Sequence, residues 1–87
     1  MPYRIAVTKL ALKHLEKLGK PDKERIVRRL KDLESDPYSK SKNIVNSEPV
    51  RRTSRVGTWR VVFRVIEAEK VIVIADIDTR GEVYKDY

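Results

Sequence analysis

The sequence predicts an α+β protein, in the order β-α-α-β-β-β, with a helix hairpin packed on one face of a small antiparallel sheet. Apolar residues recur at helical spacing up to residue 37, side chains alternate with a period of two between residues 50 and 77, and turn-forming residues separate these segments. With 87 residues, the chain is expected to form a single domain over residues 1–87, one that buries about 60–65% of its unfolded surface.

The first helix is predicted to follow a short strand. Residues 3–7 alternate as a strand, and Thr8 stands where a helix N-cap is expected. The helix should run to about Leu18 and stop at Gly19. Its apolar positions are Ala11, Leu12, Leu15 and Leu18.

The second helix should begin near Pro21, which suits a first helical turn, and end by Pro37. Asp22 and Glu24 lie where the helix dipole favours acidic side chains. The predicted buried stripe is Ile26, Leu30 and Leu33. So short a connection between the helices predicts an antiparallel hairpin.

The second half of the chain is predicted to be a three-stranded meander that follows a polar loop at residues 38–49. Strands are expected at residues 50–56, 59–66 and 70–77, with turns at residues 57–58 and 67–69. Side chains alternate across a strand, so the middle strand should present one set to the helices and one to the open face. The helix-facing set is Trp59, Val61, Phe63 and Val65, and the open set is Arg60, Val62, Arg64 and Ile66.

The charge balance indicates a polyanionic partner. The chain has 20 Lys and Arg against 13 Asp and Glu, a formal net charge of +7, which favours nucleic acid although an acidic protein or a membrane surface would also fit. The longest apolar run, residues 71–75, is too short to span a bilayer, and the N-terminus lacks the apolar segment of a signal peptide. A cytoplasmic protein with no membrane partner is expected.

The absence of cysteine excludes disulfides, thiolate metal sites and cysteine nucleophiles. The single histidine, His14, also excludes a ribonuclease that uses two histidines. We expect His14 to be a surface or boundary residue, and we expect neither a cofactor nor a metal.

The arginines are the strongest functional signal. Between residues 49 and 66 there are five and no acidic residue: Arg51, Arg52, Arg55, Arg60 and Arg64. The guanidinium stays charged and can contact two phosphate oxygens at once. Arg80 follows the last predicted strand, and antiparallel pairing should bring it near Arg60, where two guanidiniums would stabilise the charge of a phosphoryl-transfer transition state. Tyr84 adds a phenol that can stack on a base or bond to phosphate.

Other cations are predicted to surround this site. Arg51, Arg52, Arg55 and Arg64 would follow an RNA backbone. Lys9, Lys13 and Lys17 on the first helix, like Arg25, Arg28 and Arg29 on the second, form either a solvated helix face or further RNA contacts. The competing interpretation of Arg60 and Arg80 is surface ion pairing with Asp76, Asp78 or Glu82, and that of Tyr84 is a cover for the sheet edge.

Three segments carry a resemblance to a known family. The opening YRI strand, RVGTWRVVFRV at residues 55–65 and RGEVY at residues 80–84 resemble the RelE/ParE superfamily of toxin–antitoxin toxins, and RelE-type messenger-RNA endonucleases most closely. The resemblance spans nearly the whole chain. It implies a type II toxin that cleaves messenger RNA on the ribosome without a metal, by attack of the RNA 2′-hydroxyl, and that is inhibited by a cognate RelB-like antitoxin.

The resemblance implies a catalytic set of Arg60, Arg80 and Tyr84, in which the arginines hold the phosphate and the tyrosine orients the substrate. RelE-type bacterial enzymes carry lysines on the strand that here reads Arg51-Arg52-Thr53. Arginine does not readily lose its proton, so the general base is left open. Two alternatives also remain: a ParE-like toxin that poisons DNA gyrase without nuclease activity, and a non-toxic RNA-binding module.

Overall fold

The computed structural model describes residues 2–44 and 50–79, so the predicted site residues Arg80 and Tyr84 lie outside the described residues. Within these described residues, two helices and five strands follow one another as β1 (Arg4–Val7), α1 (Lys9–Glu16), α2 (Lys20–Ser35), β2 (Lys42–Asn43), β3 (Arg52–Val56), β4 (Trp59–Ile66) and β5 (Val71–Thr79). A single 3-10 turn, Glu67–Glu69, joins the last two strands.

Local sequence signals set the helix boundaries. The Thr8 hydroxyl accepts a hydrogen bond from the Ala11 amide at 3.2 Å, which is the predicted N-cap. Helix α1 ends about one half turn earlier than predicted, because Gly19 is already the extended N-cap of α2. Helix α2 ends before Pro37, since the residue that precedes a proline disfavours the helical region and Asp36 is accordingly extended.

The strands lie in the order β1-β5-β4-β3-β2. Strands β3, β4 and β5 form the predicted antiparallel meander, and Gly57 turns between the first two with a φ of 62°. Strand β1 pairs with β5 in parallel, from Arg4 opposite Val71 to Val7 opposite Ile74, so the sheet is mostly rather than wholly antiparallel. Strand β2 is a short addition within the segment predicted to be a loop.

The helices cover one face of the sheet and form the core with it. The buried cluster contains Ala11, Ile26, Leu30, Leu33, Val56, Val61, Phe63, Ile72, Ile74 and Ile77. Trp59 and Val65 are partly buried against it, as strand parity predicted for the middle strand. Leu12 is 45% exposed and lies beside this core rather than in it. In the described part of the chain, no helix combines the length and the apolar character that crossing a membrane requires.

Helix α1 covers the edge that β5 presents beyond its pairing with β1. The Thr8 hydroxyl lies 3.0 Å from the Ile74 carbonyl oxygen. His14 donates through Nδ1 to the Asp76 carboxylate at 2.7 Å and to the Ile77 carbonyl at 3.1 Å. His14 is therefore a half-buried boundary residue with a structural role, because it satisfies acceptors on an otherwise open strand edge.

Candidate phosphate-binding cleft

A cleft of about 430 Å³ opens beside β3, on the side of the sheet away from β5. Helix α2, the segment at residues 39–42 and strands β3 and β4 contribute its lining, which consists of Arg29, Ser39, Lys40, Ser41, Lys42, Thr53, Arg55 and Arg60. Five of these described residues are cationic, three carry a hydroxyl and none is acidic. Cations and hydroxyl donors without a carboxylate are a set of groups suited to phosphate oxygens.

Strand register brings the cationic groups onto one face. Arg55 lies directly opposite Arg60, and Lys42 lies directly opposite Thr53. Thr53 and Arg55 are two residues apart on β3, so all four side chains project to the same side. Like charges that face each other across two strands repel. An anion held between Arg55 and Arg60 would remove that repulsion.

Helix α2 supplies the inner wall of the cleft through Arg29. The Arg29 guanidinium donates to the Ser54 hydroxyl at 2.8 Å and to the Arg55 carbonyl oxygen at 2.7 Å. Ser54 is buried, and its hydroxyl donates to the Lys40 carbonyl oxygen at 2.7 Å. One chain of hydrogen bonds therefore joins α2, the edge of β3 and the segment that carries Lys40.

Arg52 binds the segment at residues 39–43, which forms the outer wall of the cleft. Its guanidinium donates to the Ser41 hydroxyl at 2.6 Å and to the Asn43 side-chain oxygen at 2.7 Å, and it lies 4.9 Å from the centre of the Tyr38 ring. Arg52 pairs with Phe63 and so projects toward the helix side of the sheet, unlike Arg55 and Arg60. The RNA contact predicted for Arg52 stays a prediction, while its described hydrogen bonds are all to the chain itself.

The other predicted residues are distributed unevenly. Arg60 is in the cleft, and Asp78 lies directly opposite it on β5, as the competing ion-pair interpretation required. Arg51 and Arg64 are half-buried and do not line the cleft. The lysines of α1 lie apart from it: Lys9 and Lys13 are exposed on that helix, and Lys17 lines a second cleft of about 260 Å³ together with Trp59.

Five residues of the described cleft lining were not predicted as site residues: Ser39, Lys40, Ser41, Lys42 and Thr53. The run SKSK at residues 39–42 alternates hydroxyl and ammonium groups. That alternation was a usable signal, because Lys40 and Lys42 project toward the same cleft. Arg29 was recognised only as one of several helix cations, since nothing in the helical period distinguishes it from Arg25 and Arg28.

The cleft lining can bind anions, but few of its groups can transfer a proton. Arginine remains protonated, so Arg29, Arg55 and Arg60 supply charge and hydrogen-bond donors. Lysine can exchange its proton, and Lys40 is already 3.2 Å from the Asp32 carboxylate. Lys42 forms no ion pair with any described residue. Thr53 lines the cleft, and its hydroxyl is buried and has no hydrogen-bond partner in the described part of the chain.

The potential metal ligands lie on α1 and β5. His14, Asp76 and Asp78 are the one group of described residues whose ligand atoms come within 4.8 Å of one another. Asp76 is occupied by His14 and by the backbone amide of Ile77 at 2.8 Å. None of the three lines the cleft, although Asp78 lies directly opposite Arg60, and the described lining consists of hydroxyl and cationic side chains.

Comparisons with known proteins find solved structures that are similar to this chain. The chain is similar to RelE in an archaeal RelE–RelB complex from Pyrococcus horikoshii, with 27% identity, a TM-score of 0.81 and coverage of 93% of this chain and 98% of the other. It is similar to the RelBE2 toxin–antitoxin complex of Mycobacterium tuberculosis, with 27% identity, a TM-score of 0.82 and coverage of 92% and 100%.

The isolated RelE toxin of E. coli is 25% identical, with a TM-score of 0.75 and coverage of 97% and 93%. A search of curated protein sequences finds no significant match. The family model described as the ParE toxin of the type II toxin–antitoxin system parDE matches residues 5–84. The chain therefore belongs to the ParE toxin family of type II toxin–antitoxin systems, within the RelE/ParE superfamily.

Proposed function

We propose that this toxin is a ribosome-dependent endoribonuclease that cleaves messenger RNA and so inhibits translation. The observation that carries the proposal is the cleft in which five cations and three hydroxyls meet without an acidic residue among the described lining. A phosphodiester is the group that such a lining stabilises best, since guanidinium and hydroxyl donors both match its oxygens.

In the proposed reaction the RNA 2′-oxygen attacks the adjacent phosphorus and the 5′-oxygen leaves, so a cyclic phosphate and a 5′-hydroxyl are formed. Arg55 and Arg60 hold the phosphate and stabilise the charge that develops on it. Arg80 and Tyr84 are proposed to complete the site from the end of the chain. Lys42 is the proposed group for proton transfer: as a neutral amine it takes the proton that the 2′-hydroxyl loses, and the ammonium so formed gives a proton to the leaving 5′-oxygen, since arginine is a poor acceptor.

The groups that line the described cleft support the proposed dependence on the ribosome. Its lining has no imidazole and no carboxylate to act as a general base. Fixing the 2′-oxygen in line with the leaving oxygen can lower a barrier by several kcal/mol. We propose that the decoding site of the ribosome provides this alignment, while the toxin provides the charge.

A cognate RelB-like antitoxin is the proposed partner of this chain. The solved relatives from Pyrococcus horikoshii and Mycobacterium tuberculosis are toxin–antitoxin complexes. The formal charge of +7 favours an acidic partner that folds along the toxin surface.

The test adds the purified protein to programmed ribosomes and to naked messenger RNA. Cleavage of the ribosome-bound message alone is expected, and Arg60→Ala should reduce its rate by about 100-fold or more. Arg4→Ala is the control, since Arg4 is exposed on β1, at the edge of the sheet away from β3, and does not line the cleft. No cleavage of either RNA would refute the endonuclease, and equal cleavage of both would refute ribosome dependence.

The ParE name of the matching family model favours a second candidate, a gyrase-poisoning toxin without nuclease activity. Expression in a growing culture separates the two. Combined Arg60→Ala and Arg80→Ala should abolish growth inhibition by an endonuclease, whereas a gyrase poison would keep most of its inhibition and cause DNA damage. A non-toxic RNA-binding module would not arrest growth even in its unsubstituted form.

A further inference from the structure

A carboxylate outside the cleft joins three separated parts of the chain. Glu67, in the turn between β4 and β5, accepts hydrogen bonds through Oε2 from the Tyr3 hydroxyl at 2.6 Å and from the Tyr38 hydroxyl. Its other oxygen accepts from Lys70 Nζ at 2.9 Å, and the Lys70 ammonium lies 5.0 Å from the centre of the Tyr3 ring. We refer to Tyr3, Tyr38, Glu67 and Lys70 as the tyrosine–carboxylate clasp.

The clasp keeps one charge state over a wide pH range. Hydrogen bonds from Tyr3, Tyr38 and Lys70 lower the pKa of Glu67 to about 2. The hydrogen bond to Glu67 raises the pKa of Tyr38 well above its ordinary value. At neutral pH the carboxylate is therefore ionised while the Tyr38 phenol keeps its proton, so the hydrogen bond between them is maintained.

Tyr38 connects the clasp to the outer wall of the cleft. The ring that donates to Glu67 also lies beneath the Arg52 guanidinium. Arg52 in turn holds Ser41 and Asn43, and the Ser41 hydroxyl donates to the Pro37 carbonyl oxygen at 2.6 Å. Cleft residues 39–42 follow Tyr38 directly. A change at Glu67 can therefore reach Lys40 and Lys42 through Tyr38 and Arg52.

We propose that Glu67 and Tyr38 are positioning residues of the phosphate cleft, which hold the wall that carries Lys40 and Lys42. Neither residue lines the described cleft. The inference rests on the proposed function only in taking this cleft as the site of RNA phosphates. It assigns to an acidic residue a favourable effect on the binding of a polyanion.

That effect has the opposite sign from the one simple electrostatics predicts. Glu67→Gln raises the net charge by one unit, so charge alone would tighten RNA binding. A positioning role predicts weaker binding, because Tyr38 loses the carboxylate that accepts its hydrogen bond. The segment at residues 39–42, which carries Lys40 and Lys42, is then held less firmly. Glu69→Gln is the matched control: Glu69 is exposed in the same turn and makes no hydrogen bond or ion pair with another described residue.

The experiment measures the affinity of the purified protein for a short oligouridylate as a function of salt concentration. Each phosphate contact to single-stranded RNA adds about 0.7 to the slope of log affinity against log salt. Releasing Lys40 and Lys42 should lower the slope of Glu67→Gln by about 1.4, with about tenfold weaker binding at low salt. Glu69→Gln should keep the original slope and bind equally or slightly more tightly.

Tyr38→Phe provides an independent variant, because it keeps the ring beneath Arg52 and removes only the hydroxyl that reaches Glu67. It should lower the slope as Glu67→Gln does, and it carries the test alone if Glu67→Gln does not fold. Thermal unfolding of each variant identifies the folded samples. A folded Tyr38→Phe or Glu67→Gln protein with the original slope, or with tighter binding, would overturn the proposal.

Combined Lys40→Ala and Lys42→Ala separates this inference from the assignment of the cleft. If that variant keeps the full slope, RNA does not occupy the cleft and the site in the proposed function is wrong. If the slope of that variant falls by about 1.4 while the slopes of Glu67→Gln and Tyr38→Phe are unchanged, RNA binds in the cleft and only the positioning role is refuted.

Discussion

The β5 side and the β3 side of the sheet differ in how their charged side chains are arranged. On the β5 side, His14 and the Ile77 amide satisfy the Asp76 carboxylate, and Thr8 meets the carbonyls of the strand edge. On the β3 side, Arg55 faces Arg60 and the described cleft lining includes no acidic residue. Polar groups that satisfy one another stabilise a fold, whereas like charges gathered in a cleft cost stability and suit a ligand of opposite charge.

The largest effect should come from a substitution in the cleft that keeps its charge. Lys42→Arg retains the cation but not the ability to give up a proton at accessible pH, so cleavage of ribosome-bound RNA should slow by about 100-fold if Lys42 transfers the proton. The measurement is the single-turnover rate across a pH series. Lys31→Arg is the control, because Lys31 is exposed on α2 and does not line the cleft, so it should keep near-normal cleavage.

A wild-type rate and pH profile for Lys42→Arg would show that Lys42 contributes charge alone. The cleft would then still differ from the β5 side because it binds RNA phosphates. Neither side would take part in proton transfer.

On the β5 side a substitution should affect stability rather than function. Asp76→Ala leaves the buried Ile77 amide without its acceptor and removes the shorter of the two hydrogen bonds of the His14 ring, so the free energy of unfolding should fall by about 1–3 kcal/mol. Denaturant unfolding gives this value. RNA affinity of the folded variant should stay near that of the wild type, and a large loss of affinity would mean that the β5 side also contributes to binding.

The opposite behaviour is expected of Arg55→Ala. Removing one of two facing guanidiniums should leave the protein as stable or more stable, by a few tenths of a kcal/mol up to about 1 kcal/mol, because the repulsion with Arg60 is removed. Oligouridylate binding should weaken in the same variant, since a phosphate contact is lost. Lower stability together with unchanged RNA affinity would indicate that the Arg55 side chain is structural.

The smallest effect concerns acid unfolding through Glu67. Its pKa is lowered to about 2 by the hydrogen bonds from Tyr3, Tyr38 and Lys70. A carboxyl group whose pKa is lowered by folding stabilises the protein above its ordinary pKa of 4.5 and loses that contribution as the pH falls toward 2. The melting temperatures of wild type and Glu67→Gln should therefore differ at neutral pH and converge near pH 2, and a constant difference would exclude ionisation of Glu67 as the cause.

Local sequence patterns predicted most of the fold. Strand β4 has the predicted bounds, with Trp59, Val61, Phe63 and Val65 on the helix side. The stripe Ile26, Leu30 and Leu33 is buried as helical spacing required. These predictions succeed because the period of the apolar residues depends only on the local backbone geometry.

The cleft was predictable only in part. Arg55 and Arg60 were predicted from the arginine-rich segment without acidic residues and from the family resemblance, and the hairpin register then places them opposite each other. Arg29 joins them from α2, and Lys40 and Lys42 join them from the segment at residues 39–42; the placement of all three depends on the contacts of Ser54 and Arg52. The period of the apolar residues does not predict such contacts, because it depends on local backbone geometry. These partners lie in separate segments of the chain.

Sequence alone determined the class of fold, the basic character of the surface and the arginine hairpin, because composition and local alternation are sufficient for each. Tertiary structure decided the parallel pairing of β1 with β5, the lysine wall beside Arg55 and Arg60, and the remote carboxylate that anchors it. These features require segments distant in the chain to meet, and long-range packing and hydrogen bonding select among the arrangements that local patterns leave open.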